Sequence, residues 1–263
     1  NKLESNETFR DATSFNGTLS NWNTLLRVTD LWRTFWGTAS FTGDGVSNWN
    51  TSSVTDLSLT FYDATSFTGD GLSSWDTSSV TDMQSTFYYT RDFTGKGLET
   101  WETSSVTSLT FTFASTAIAG DTVVGWNTSS VTSLIATFFN ATRFNGDISG
   151  WNVSSVPDDY YIQHVFLLAT AMSDCTKRNI FESWTSQGAL TMNTTNSDYS
   201  SWANLLCGCS INTNVELRDH VIAWMENPMN YVCGESINSW DVSNVYVFFN
   251  LHFTYYFTHL LKI

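Results

Sequence analysis

The side chains best suited to chemistry cluster in the last third of the chain. Cys175, Cys207, Cys209 and Cys233 lie there, and Cys207, Cys209, His220 and Cys233 carry the ligand types of a zinc site. Their spacing matches no common zinc module. An even number of cysteines confined to one segment fits disulfides better. Cys207 and Cys209 are too close to bond each other readily. Cys175–Cys207 with Cys209–Cys233 is therefore favoured; the swapped pairing is the alternative, and sequence does not decide between them. Glu216 and His220 share a helical face, which a solvated surface explains equally well. No G-x-S-x-G, H-E-x-x-H, P-loop or oriented Ser/His or Cys/His pair occurs. No enzymatic activity, cofactor or metal is expected.

Two further sets of residues could carry chemistry. N-x-[Ser/Thr] acceptors for N-glycosylation stand at Asn6, Asn16, Asn50, Asn127, Asn140, Asn152 and Asn193. Asp44, Asp70, Asp121 and Asp147 recur in glycine-containing turns, a row interrupted by Lys96. A calcium ladder would need the nine-residue calcium-roll motif, which is absent, so these aspartates read as turn caps.

What positions these residues is a repeat. Trp22, Trp49, Trp75, Trp101, Trp126 and Trp151 are 27, 26, 26, 25 and 25 residues apart. An aliphatic residue precedes each by three positions: Leu19, Val46, Leu72, Leu98, Val123 and Ile148. A Val follows, and seven residues beyond it a Phe in five units: Phe35, Phe61, Phe87, Phe113 and Phe138. Phe9 holds the same phase. Such periodicity marks a stack of units that share one core, because no single unit buries its own apolar edge.

Each unit divides into two halves. Val54, Leu57, Phe61 and Ala64 follow helical spacing, and Ser53 with Asp56 forms a capping-box-like start, repeated at Ser79/Asp82 and Ser155/Asp158. The spacing predicts a short helix there. Ile148-Ser-Gly-Trp151-Asn-Val153 matches the strand portion of a leucine-rich repeat, with Trp151 and Val153 inward. The residue after each Trp then points out: Asn23, Asn50, Asp76, Glu102, Asn127, Asn152 and Asp241. Trp rows of this kind are core; a sugar-stacking platform is the lesser reading. The expected fold is an α/β solenoid: a leucine-rich-repeat-like, right-handed stack of about 25–27-residue coils, one short parallel strand and one short helix per coil. A small disulfide-tied helical junction follows it.

The array is assigned to residues 1–170, although its pattern decays after Val156, where Pro157-Asp158-Asp159 starts a helix. The Cys-containing junction spans 171–236, with helices over 177–186 and 215–226. A second array starts at 237, where Ile237, Trp240, Val242 and Val245 reproduce the unit. An array cut in mid-unit at Phe9 and again near the chain end would expose apolar faces. That suggests either a fragment of a longer chain or stacking against neighbouring segments.

Composition narrows the classes. With 41% hydrophobic and 16% aromatic residues the chain is too apolar for disorder. A formal charge of −14 opposes binding to nucleic-acid phosphates. The most apolar stretch, 245–263, is broken by Asn250, His252, Thr254 and His259, so no membrane span is expected. Sequons, paired cysteines and an initial Asn1 favour a mature or partial extracellular or cell-surface chain.

Trp151-Asn-Val-Ser-Ser-Val156 and Phe138-Phe-Asn-Ala-Thr-Arg-Phe144-Asn-Gly-Asp-Ile148 resemble the 26-residue surface-protein repeat related to BspA-like leucine-rich repeats. The resemblance covers about 9–156 and 237–250. Residues 172–184 look like the segment that ends such arrays in algal and other protist members, and 217–240 like the helix leading into a new one. This chain departs by placing Leu, Thr or Ile where the family has Met. The resemblance implies surface display, adhesion or extracellular scaffolding without catalytic residues. The expected role is a glycosylated structural segment of a surface filament or appendage, partnered end to end by itself or neighbouring segments. The alternative is a recognition module that holds glycans or host proteins on one face.

Overall fold

The computed structural model describes residues 7–22, 28–189 and 199–205. The chain divides into two units, Asn1–Asn204 and Leu205–Ile263; the architecture below is that of the first. The expected helix over 215–226 and the repeat at Trp240 lie outside the described residues.

Successive repeats lie in register, one on the next. Parallel bridges link Asp30 to Asp56, Asp56 to Asp82, Asp82 to Ser108 and Ser108 to Ser133. Trp centroids are 6.2–6.4 Å apart along the column from Trp22 to Trp151. A second column runs Phe9, Phe35, Phe61, Phe87, Phe113, Phe138, Phe166 at 5.3–5.9 Å. A third holds Phe15, Phe41, Phe67 and Phe93, continued by the buried Ile118 and Phe144. Burying one such Phe is worth about 1.5–3 kcal/mol, and a ring pair adds about 0.5–1.5 kcal/mol.

A buried indole needs an acceptor for its N–H. Trp75, Trp101, Trp126 and Trp151 donate Nε1–H to the carbonyls of Val46, Leu72, Leu98 and Val123, the aliphatic residues of the preceding repeat, at 2.9–3.1 Å. Trp49, which follows the longer first step, has no Nε1 partner among the described residues. Trp22 is 44% exposed, unlike the rest of its column.

Among the described residues, the short helix expected in each repeat is not formed. Val54, Leu57, Phe61 and Ala64 are all buried, but their segment is a run of turns. Leu57, Leu59, Phe61 and Asp63 donate backbone N–H groups to the carbonyls of Asp82, Gln84, Thr86 and Tyr88 in the next repeat. The intervening Thr60, Tyr62 and Ala64 N–H groups close turns onto residues three earlier. Every second N–H thus points along the stack, which an α-helix forbids because it keeps those bonds internal. Leu59 and Asp63 adopt φ of 59° and 55°, a conformation that costs an L-residue about 1–2 kcal/mol. The gain from the buried Phe and the inter-repeat bonds exceeds that cost. Turns that return a side chain inward every three or four residues imitate helical spacing.

The strand is also displaced. The aliphatic residues open single 3-10 turns, Val46–Asn48, Leu72–Ser74 and Leu98–Thr100, in the half expected to be a strand. The parallel bridges fall instead at Asp56 and its equivalents, in the half expected to be helical. Alternation after each Trp survives: Asn50, Asp76, Glu102, Asn127 and Asn152 are exposed, and the next residues are buried. Gly45, Gly71 and Gly97 precede the 3-10 turns at φ of 89°, 92° and 87°. At Gly45 a Cβ would stand 2.2 Å from the Ser20 backbone nitrogen, so only glycine fits this approach between repeats.

The apparent decay after Val156 conceals one more rung of the Phe-containing half. Leu134, Ala136, Phe138 and Asn140 donate N–H to the carbonyls of Tyr161, Gln163, Val165 and Leu167. Ile162, Val165 and Phe166 are buried. The inserted turn Asp159–Ile162, capped by the Asp158 side chain, is 3-10 and shifts the spacing without breaking the ladder.

Helix α1, Asp174–Ser186, starts three residues earlier than expected and has Ser173 as its N-cap. It covers the edge left by the last Trp-containing half-repeat. Asn145 Oδ1 accepts from Ser173 N and Thr176 Oγ1, Asn179 Nδ2 donates to Asp147, and Ser183 Oγ donates to the Ser149 carbonyl. Gln187 ends the series: its Oε1 accepts from Val153 N at 2.7 Å and its Nε2 donates to the Trp151 carbonyl at 3.1 Å. Trp184 is fully buried against Phe166. Tyr199 OH donates to the Ile162 carbonyl and accepts from Val165 N. Within the segment read as a junction, the described residues 171–189 cover this edge of the array.

Candidate binding face

Several of the ladder Phe residues are followed by an outward aromatic side chain. Trp36, Tyr62 and Tyr88 follow Phe35, Phe61 and Phe87 and form a half-exposed strip along the stack. Trp36 and Tyr62 stack at 4.2 Å, Tyr62 meets Tyr88 edge-on at 5.2 Å, and Tyr88 stacks on Tyr89 at 4.3 Å. Phe111 extends the strip, 5.3 Å from Tyr88. Arg33 lies over Trp32 and Trp36 at 4.1 and 4.6 Å, a cation–π arrangement, and bonds Glu7 of the preceding repeat. Burial pushes the Tyr88 phenol up to about 12, aided by a hydrogen bond with Tyr89. Tyr62 is raised chiefly by burial, then by Asp63. These phenols stay protonated near neutral pH and can donate hydrogen bonds.

Beside Tyr89 opens a cavity of about 400 Å³. Its origin is a shortened repeat. The step from the ladder Phe to the next inward residue is six in Phe61–Phe67, Phe87–Phe93 and Phe138–Phe144, but five in Phe113–Ile118. Ser115, Thr116 and Ala117 therefore form a low floor of small residues. The inter-repeat bond slips with them: Asp92 N donates to the Thr65 carbonyl, but Ala117 N donates to that of Phe93. The repeat before supplies Tyr89, Arg91 and Asp92 to the cavity, and the repeat after supplies Asn140 and Arg143.

Of the residues singled out by sequence, Asn140 lines this cavity, and the other described ones lie elsewhere. Asn16, Asn50, Asn127 and Asn152 are exposed, Asn140 is half-buried with Nδ2 bonded to Ser115 Oγ, and Asn6 and Asn193 lie outside the described residues. Asn50, Asp76, Glu102, Asn127 and Asn152 each accept from the N–H two residues on, at 3.0–3.2 Å. The glycine-turn row stands apart at the surface, where Lys96 pairs with Asp70 and Asp147 accepts from Ser149 N. No metal-binding cluster occurs among the described residues. Cys175 is disulfide-bonded; Cys207, Cys209, His220, Cys233 and Glu216 lie outside the described residues. No helix among the described residues is long and apolar enough to cross a membrane.

Sequence reading missed one column entirely. Thr60, Thr86, Thr112 and Thr137, each directly before a ladder Phe, are fully buried and donate Oγ1–H to carbonyls of the preceding repeat at 2.9–3.1 Å. The invariant Thr-Phe pair across these units was the available signal. The outer aromatic strip was missed because its members differ in type.

The family described as Mycoplasma protein of unknown function, DUF285, matches residues 3–117 and again 92–202. The chain belongs to DUF285. The overlap of the two matches falls on the repeats around Trp101, as expected for a DUF285 pattern that reads along a periodic array in more than one register. No curated protein and no solved structure matches the chain.

Proposed function

We propose that this DUF285 chain is an extracellular structural segment, a solenoid of the BspA-like surface-protein kind. The observation that carries the reading is the continuous Phe column from Phe9 to Phe166, in which each ring packs on the equivalent ring of the next repeat. Such a stack lengthens by adding units, without redesign of a core. Exposed sequons and the disulfide at Cys175 support an oxidising, glycan-bearing compartment. Helix α1 covers the edge at Phe166, and at the other edge the described Phe and Trp columns begin with Phe9, Phe15 and Trp22. Negative-stain imaging of the native protein tests the scaffold: end-joined particles are expected, and monomers at every concentration overturn it. Mass spectrometry of peptides bearing Asn50, Asn127 and Asn152 tests the compartment; unmodified asparagine throughout would count against it.

The second reading is recognition of glycans or host proteins on one face of the stack. The half-exposed strip Trp36–Tyr62–Tyr88–Tyr89 favours it, because aromatic faces stack on the C–H face of a sugar ring while phenols bond its hydroxyls.

A further inference from the structure

We propose that the cavity over the shortened Phe113 repeat binds an acidic oligosaccharide, one bearing carboxylate or sulfate groups. The inference rests on the recognition reading and gives it a ligand class. Only 11 of the 263 residues are Lys or Arg in a chain of charge −14, yet two arginines, Arg91 and Arg143, line this one cavity. They come from the two repeats flanking the short one, so their backbones stand about 10 Å apart at ordinary inter-strand spacing. Both side chains are exposed, and neither makes an ion pair among the described residues. Asp92 is the single acid in the lining, which leaves the site net positive.

Guanidinium groups recognise planar oxyanions through paired N–H donors. One charged pyranose or two neighbouring residues span the interval between them. Tyr89 provides a ring at one side, continuous with the aromatic strip through its 4.3 Å stack on Tyr88. Ser115, Thr116, Asn140 and Thr142 offer the hydroxyl and amide groups that sugar hydroxyls need. An acidic peptide would satisfy the arginines but leave this polar floor and the tyrosine face unused. Asn140 is itself a sequon, and its Nδ2 is engaged with Ser115 Oγ; a glycan attached there would fill the cavity.

Calorimetric titration of the native glycoprotein distinguishes the outcomes. The probes are oligogalacturonate, a sulfated glucan oligosaccharide, a neutral glucan oligosaccharide and poly-glutamate. Binding of either acidic saccharide, weakened by added salt and at least tenfold by Arg91→Gln and by Arg143→Gln but not by Lys96→Gln, supports the site; the tighter of the two names the anion. Equal binding of poly-glutamate or the neutral glucan overturns it, as does peptide mapping that finds Asn140 glycosylated. Acidic saccharide binding untouched by either arginine substitution overturns the cavity but leaves the recognition reading standing. No saccharide binding at all overturns the cavity proposal and the glycan form of the recognition reading. Both arginines are exposed, so unchanged thermal midpoints in the variants confirm that the fold is intact.

Discussion

The Nε1–H of Trp101 donates to the carbonyl of Leu72, 29 residues earlier and one repeat away, at 3.0 Å. One side chain thus supplies a hydrogen bond in one direction along the stack and ring contacts with Trp75 and Trp126 in both. Trp101→Ala is expected to cost about 3–5 kcal/mol in denaturant unfolding, the range for removing a large buried aromatic. Trp101→Phe keeps an aromatic in the column and removes one of the two hydrogen bonds to the Leu72 carbonyl, which keeps that from the Trp75 N–H; the lost bond is worth about 0.5–1.5 kcal/mol. Near-neutral Trp101→Ala would place the indole outside the core and undo the stack.

Close approach between repeats gives a second, paired prediction. At Gly45, φ is 89° and a Cβ would meet Ser20 N at 2.2 Å; at Gly125 nothing lies within 4 Å. Gly45→Ala must therefore lose the left-handed conformation or push two repeats apart, and is expected to lower the thermal midpoint by several degrees. Gly125→Ala is expected to leave it unchanged or slightly raised. Equal effects at the two positions would mean that the tight contact at Gly45 is not present in solution.

Helix α1 makes a prediction about locality. Gln187→Ala leaves the Val153 N–H and the Trp151 carbonyl without the partner that spans them. Because repeats interact with nearest neighbours, hydrogen exchange should accelerate over about 145–169 and stay unchanged around Leu57–Phe61. Uniform acceleration would show that the stack opens as one cooperative block.

How much of this was legible in the sequence depended on the kind of signal. Near-constant spacing reads Trp22 to Trp151 as inward, and alternation reads the residues after them as outward; burial follows that pattern from Trp49 to Trp151 but not at Trp22, which is 44% exposed. Leu57 and Phe61 were placed on the right face for the wrong reason. Their period of three to four fits a helix and fits consecutive turns, and what separates the two is where the N–H of Leu59 goes, which depends on the neighbouring repeat. Phe166 was lost because one inserted turn shifts its spacing. The cavity at Ala117 hinges on a single missing residue, visible only once Phe113 and Ile118 are known to occupy equivalent columns.

The stacked aspartates carry the last prediction, one of sign. Asp56 and Asp82 are bridged in adjacent repeats. Burial pushes the Asp82 carboxyl above its ordinary range, Gln84 N–H opposes the shift, and Asp56 adds to it. A carboxyl raised in the folded state favours folding while neutral, and that contribution is lost as pH climbs from roughly 4 through the folded value. Asp76 is the opposite case: hydrogen bonds from Ser78 hold it below its ordinary range, so its contribution is present above roughly pH 4 and lost as pH falls through the depressed value. Asp82→Asn keeps an oxygen for the Gln84 N–H but removes the charge, and should raise the thermal midpoint at pH 7. Asp76→Asn should lower it slightly, since the group is solvent-exposed. Both differences should shrink towards zero by about pH 2, where all these carboxyls are protonated. A shift of one sign for both variants, or one that persists in acid, would show that packing rather than charge governs these positions.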